Sequence, residues 1–88
     1  MSAKATNAGT GRVKISWSKV SGATHYEIYR YGNDGYTKIA TIGAQYGSFT
    51  NINLRSNRNY YYRVRAVTTK NGYTACGSYS DKLTIKTK

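Results

Sequence analysis

The carboxylate, imidazole and thiol side chains of this 88-residue chain are few: three acids, one histidine and one cysteine. Glu27, Asp34 and Asp81 stand far apart, His25 lies two residues before Glu27, and Cys76 sits in Thr74-Ala75-Cys76-Gly77-Ser78. A general acid or base needs a shaped pocket that shifts its pKa, and so small a domain has little material for one. One cysteine forms no internal disulfide, and with one histidine it falls short of a four-ligand zinc site. As i and i+2 neighbours on a strand, His25 and Glu27 share a face roughly 7 Å apart. Glu27 could orient His25 as a base, or it could bridge across strands to Arg63 or Arg65. Nothing nearby supplies a nucleophile, so the ion pair is the expectation. Cys76, near the start of the last strand, reads as apolar filler or as a bystander. No catalytic residue, cofactor or metal ligand is expected.

Charge says more. Fourteen Lys and Arg face three Asp and Glu, a net +11. Such a field favours anionic partners: cell-wall or matrix polymers, acidic glycans, nucleic acid or lipid head groups. Apolar residues make up 39% and aromatics 14%, with ten tyrosines, nine glycines and no proline, which marks a folded domain and not a disordered tail. No apolar run reaches the roughly 18–20 residues of a membrane span. The opening Met1-Ser2-Ala3-Lys4 runs into polar residues and does not read as a signal peptide.

The elements that must carry these residues are strands. Arg12 to Ser18 alternates, with Val13, Ile15 and Trp17 inward. His25 to Tyr31 alternates again around Tyr26 and Ile28, then reaches a turn at Gly32-Asn33-Asp34-Gly35. Tyr36 to Ile42 returns, carrying Ile39 and Ala40, and Ser48 to Asn51 is a brief strand. Leu54 opens a polar turn that ends at the strongest strand, Tyr60 to Thr68. Its inward register is Tyr60, Tyr62, Val64 and Ala66, because Arg63 and Arg65 must reach water. Lys70-Asn71-Gly72 signals a hairpin, and Tyr79 to Lys86 reads as the last strand, with Leu83 and Ile85 inward. No segment shows the i, i+3, i+4 spacing of an amphipathic helix. The prediction is all-β: an immunoglobulin-like antiparallel β-sandwich of about seven strands, one domain over residues 1–88, least defined over 1–11.

If Tyr62 and Val64 face in, Tyr61, Arg63 and Arg65 face out. They should share a sheet with Tyr29 and Tyr31 on one side and Lys82 and Lys86 on the other. Rings interleaved with cations either cover the sheet or form a contact surface for glycans or acidic polymers. Nucleic acid is the weaker reading, since no groove-entering helix and no Gly-aromatic signature is present.

Trp17, Ser21-Gly22-Ala23 before Tyr26-Glu27-Ile28-Tyr29-Arg30, and Leu54 six residues before Tyr60-Tyr61-Tyr62-Arg63-Val64-Arg65-Ala66 together resemble a fibronectin type III domain. The resemblance runs from about Arg12 to Lys86. It implies that Tyr60 is the tyrosine corner, its hydroxyl bonding backbone near Leu54 or Arg55. The Ser-Gly-Ala-x-x-Tyr-x-Ile-Tyr-Arg version is similar to domains of bacterial surface proteins and secreted polysaccharide-degrading enzymes. That likeness implies a non-catalytic, monomeric, extracellular module whose partners are neighbouring domains of a parent chain, with electrostatic adhesion to anionic polymers. The alternative is a carbohydrate-binding accessory domain with outward tyrosines as a flat platform. The loop Thr69 to Tyr73 lacks the Arg-Gly-Asp triplet that some members carry there, so integrin binding gains no support.

Overall fold

The computed structural model describes residues 2–32 and 35–88, and every regular element among them is a strand. In chain order these are β1 (Ala3–Gly9), β2 (Arg12–Trp17), β3 (His25–Gly32), β4 (Gly35–Gly43), β5 (Ser48–Asn51), β6 (Asn59–Lys70), β7 (Tyr73–Cys76) and β8 (Leu83–Lys86). One sheet has the order β1-β2-β5; the other runs β4-β3-β6, with both β7 and β8 on the far side of β6. Every strand pair is antiparallel. The Asp-Gly turn expected after β3 falls on Asn33 and Asp34, which lie outside the described residues.

Strict alternation explains the core. Val13, Ile15 and Trp17 of β2 meet Tyr26 and Ile28 of β3, Tyr62, Val64 and Ala66 of β6, and Leu83 of β8, all buried. Leu54, Tyr60 and Ile85 pack against this cluster at its margin. Each fully buried side chain contributes about 1.5–3 kcal/mol, which a domain this small needs. The Trp17 and Tyr26 rings pack 5.2 Å apart. Buried phenols need hydrogen-bond partners. Tyr26 accepts from the Val20 N–H at 2.8 Å and Tyr62 from Asn51 Nδ2 at 2.9 Å. The Tyr60 hydroxyl accepts from the Arg55 N–H at 3.0 Å, pinning the turn that precedes β6.

Two glycine-dependent contacts fix the turns. Asn71 (φ 52°) and Gly72 (φ 80°) link Lys70 to its partner Tyr73, the two-residue hairpin that the Asn-Gly pair signals. Gly11 (φ +67°) lies where a Cβ would meet the Leu54 carbonyl oxygen at 2.7 Å, and its own carbonyl accepts from the Leu54 N–H.

Three features depart from the expected layout. The first eleven residues contribute a strand: β1 pairs with β2 from Ala3↔Trp17 to Asn7↔Val13. In β4 the register jumps from Ile28↔Ala40 to Tyr29↔Lys38, leaving Ile39 as an extra residue. That bulge lets Ile39, Ala40 and Ile42 all pack against the core. The segment expected as one strand from Tyr79 begins as strand at Leu83. Ser80 is the reason. Its Oγ accepts from the Val64 N–H at 3.1 Å and its N–H donates to the Val64 carbonyl at 2.7 Å, so a side chain takes part of the ladder's work. Strand structure therefore splits into β7 and β8, giving eight strands. Cys76 ends β7 and is exposed, so it fills no core space.

The body measures 44 × 26 × 20 Å, and the chain enters and leaves it near opposite ends of β1, whose Asn7 Nδ2 donates to the Lys86 carbonyl at 3.0 Å. At one end β1 starts beside Trp17, where the Ser18 N–H donates to the Ser2 carbonyl. At the other, Thr87 follows β8 and bonds the backbone of Asn57 and Arg58.

Candidate functional site

The solvent face of the β4-β3-β6 sheet gathers most of the predicted contact residues. Register alone sets three rows across it. Thr41, Glu27 and Arg65 form one, and Lys38, Tyr29 and Arg63 the next. In the third, Tyr36 pairs with Tyr31, and Tyr61 follows on β6.

The first two rows close around one carboxylate. Glu27 Oε1 accepts from Arg65 Nε at 2.7 Å and from the Tyr29 hydroxyl at 3.0 Å, and Lys38 Nζ lies 3.5 Å from Oε2. Arg65 was one of the two partners expected for Glu27. The carboxylate is nevertheless covered, its side chain 12% exposed. Burial pushes its pKa up, but hydrogen bonds from Arg65 and Tyr29 and the charges of Arg65 and Lys38 outweigh it, leaving Glu27 below the usual carboxylate range. Burial, with Tyr79 and the Glu27 carboxylate beside it, pushes the Tyr29 phenol up to about 12. His25 turns elsewhere, its Nδ1 3.1 Å from Thr24 Oγ1. Among the described residues no group of three His, Cys, Asp or Glu could hold a metal ion.

The third row opens a groove of about 420 Å³ lined by Tyr31, Tyr36, Tyr61, Arg63 and Lys82. Its walls are not coplanar. Tyr31 meets Tyr36 at 66° and Tyr61 at 87°, edge to face, with ring centres 5.3 and 6.1 Å apart. The expected flat platform is thus a cup, because cross-strand rings relieve crowding by tilting. The Arg63 guanidinium sits 4.6 Å from the Tyr36 ring centre, and Lys82 Nζ 5.1 Å from that of Tyr61. Among the described residues no carboxylate pairs with either cation. Arg63 Nε is buried without an acceptor, an arrangement that costs on the order of 1–3 kcal/mol.

Of the seven face residues predicted, Tyr31, Tyr61, Arg63 and Lys82 line this groove. Tyr29 and Arg65 belong to the Glu27 cluster beside it. Lys86 pairs with Asn59, two register positions beyond Tyr61, away from the rings. Sequence reasoning missed two residues. Tyr36 follows from the β3–β4 register, which a tight turn between two glycines already implied. Tyr79 stands edge-on to Tyr29 at 5.3 Å and under Arg65 at 4.9 Å. No sequence signal marked it, since the Ser80 interruption turns it outward. A second hollow, about 310 Å³, lies between Ser2–Lys4 and Ser16–Ser18; there the Trp17 Nε1–H is buried without a partner.

No family model matches the chain. Amylopullulanase of Thermoanaerobacterium saccharolyticum is 39% identical over 62 residues, which is 68% of this chain and 5% of that protein. Amylopullulanase of Thermoanaerobacterium thermosulfurigenes is 36% identical over the same length, 3% of its own. The chain thus spans a small fraction of these relatives. Among solved structures, FN3tt superposes with a TM-score of 0.77 at 21% identity, covering 94% of this chain and 85% of that one. An Fn3-like protein from Clostridium thermocellum gives 0.69 at 27% identity, with 94% and 82% covered. A β-1,2-glucanase from Parabacteroides distasonis gives 0.75 at 20% identity, with 96% of this chain matching 12% of the enzyme. With the strand order, the Tyr60 hydroxyl on Arg55 and the Tyr-x-Tyr-x-Val-x-Ala strand, these likenesses identify the chain as a fibronectin type III domain.

Proposed function

We propose that residues 1–88 are one non-catalytic module of a larger extracellular or cell-surface protein, holding its neighbours apart and in line. The carrying observation is the polarity of the sandwich. β1 starts at the Trp17 end of its strand pair, and β8 leaves beside the other end of β1, where Asn7 Nδ2 donates to the Lys86 carbonyl at 3.0 Å. Segments joined before and after it are thereby held at opposite ends, with a hydrogen-bonded double sheet between them. The relatives support the setting, since a stretch like this one occupies a small part of amylopullulanases and of a β-1,2-glucanase. Function does not follow from fold, so the spacing role needs its own measurement. The chain, as Cys76→Ser, is placed between two folded reporters, each with one spin label, and the label distance is read by pulsed dipolar spectroscopy. A single narrow distribution is expected. A broad distribution, or reporters in contact, overturns the reading. The groove lined by Tyr31, Tyr36, Tyr61, Arg63 and Lys82 favours a second role, glycan contact.

A further inference from the structure

We propose that the cup formed by Tyr31, Tyr36 and Tyr61 binds one oxyanion-bearing sugar unit, a uronate or a sulfated hexose, of an acidic polysaccharide. Arg63 and Lys82 hold the anionic group.

Charge selects the anion. Arg63 and Lys82 both line the cup, and among the described residues neither is neutralised by a carboxylate. The carboxylate nearest in register, Glu27, is already bonded to Arg65 and Tyr29. Arg63 Nε is covered, whereas its outer guanidinium nitrogens are not buried and, among the described residues, carry no side-chain partner, so a carboxylate or sulfate oxygen can reach them. Each cation is also held over a tyrosine ring before any ligand arrives, so less side-chain freedom is lost on binding.

Shape selects the sugar. A volume of about 420 Å³ is that of a site for one small group, not a track for a polymer backbone. Tyr31 is 54% exposed and offers the C–H faces of a pyranose an apolar wall. Nucleic acid fits less well. Single strands bind where successive bases find a run of open ring faces. Here Arg63 covers a face of Tyr36 and Lys82 one of Tyr61, and the rings stand steeply to one another.

The test uses the whole chain, ¹⁵N-labelled, titrated with a galacturonate tetramer, a heparin-derived tetrasaccharide, neutral maltotetraose, an oligothymidylate and a short polyglutamate. Shifts at the amides of Tyr31, Tyr36, Tyr61, Arg63 and Lys82 are expected with the first or second probe. The first arm identifies a uronate, the second a sulfate ester. Lys82→Gln and Tyr31→Ala should each weaken binding about tenfold, the loss of one charge-assisted contact or one ring wall. Lys14→Gln, which removes the same charge from the exposed side of β2, should leave affinity within about twofold. Should Arg63→Gln fail to fold, the Lys82 and Tyr31 variants carry the test. The inference is overturned if maltotetraose binds equally well, if Lys14→Gln weakens binding as much as Lys82→Gln, if oligothymidylate or polyglutamate outcompetes both sugars, or if neither acidic sugar shifts these amides at millimolar concentration. The spacing role rests on the dipolar distances, so a silent groove leaves it standing.

Discussion

Replacing Glu27 by Gln tests how the outer face is held together. The substitution keeps the shape and an acceptor for the Tyr29 hydroxyl but removes the charge that Arg65 meets at 2.7 Å and Lys38 at 3.5 Å. Pairs in bulk water are worth about 0–1 kcal/mol, whereas breaking a buried pair costs about 3–5. This one lies between, with side chains 12% exposed for Glu27, 22% for Arg65 and 48% for Lys38. A loss of about 1.5–2 kcal/mol is expected, the lower part of the range for a hydrogen bond to a charged group. For a domain of this size that lowers Tm by roughly 6–16 °C. The pH dependence is the sharper reading. Glu27 titrates lower in the folded chain than in the unfolded one, so its stabilisation is full above the unfolded value of about 4.3 and is lost as pH falls through the folded value. Thermal melts followed by circular dichroism at several values from pH 7 to pH 3 should show parent and variant converging in acid. Asp81→Asn makes the same charge change at an exposed site and should cost less than about 0.5 kcal/mol. A gap that stays constant into acid, or an equal loss in Asp81→Asn, refutes the local ion-pair argument and leaves general charge repulsion in its place.

Two further outcomes follow from single hydroxyls. Tyr60→Phe removes the acceptor of the Arg55 N–H and should cost about 0.5–1.5 kcal/mol in urea denaturation with an unchanged m-value. In a tyrosinate absorbance titration, Tyr29→Phe should delete the component near pH 12. Because the Tyr29 pKa is raised on folding, its stabilisation is full below about pH 10 and disappears as pH rises through the folded value.

The inner half of this molecule was legible in its sequence because burial has a period. Val13, Ile15 and Trp17, or Tyr62, Val64 and Ala66, can share one side of a strand in a single phase, and Arg63 and Arg65 exclude the other. The tyrosine corner was legible because one hydroxyl and one six-residue spacing specify it. The outer face was legible as a set of residues but not as a geometry. Whether a ring lies flat or on edge depends on its cross-strand neighbour, and two local events reset those neighbours. One is the extra residue at Ile39; the other is Ser80, whose Oγ substitutes for a strand partner of Val64. Neither leaves a mark in hydrophobic alternation, so nothing in the pattern points to Tyr79, whereas Tyr36 lies on the turn side of the bulge and is reached by counting back from the glycines.

The additional residue in β4 makes the two surfaces of that strand independently tunable. On one side of Ile39 the chain keeps time with Ile28, on the other with Tyr29. Deleting Ile39 would close the bulge while leaving Ala40 opposite Ile28 and Lys38 opposite Tyr29, so the cost would be the packing of Ile39 and not the register. Substitutions that retain the residue would leave the pairing intact while hydrophobic size changes beneath. One supernumerary amino acid thus adds apolar cover to the core without displacing the outward residues that line the groove.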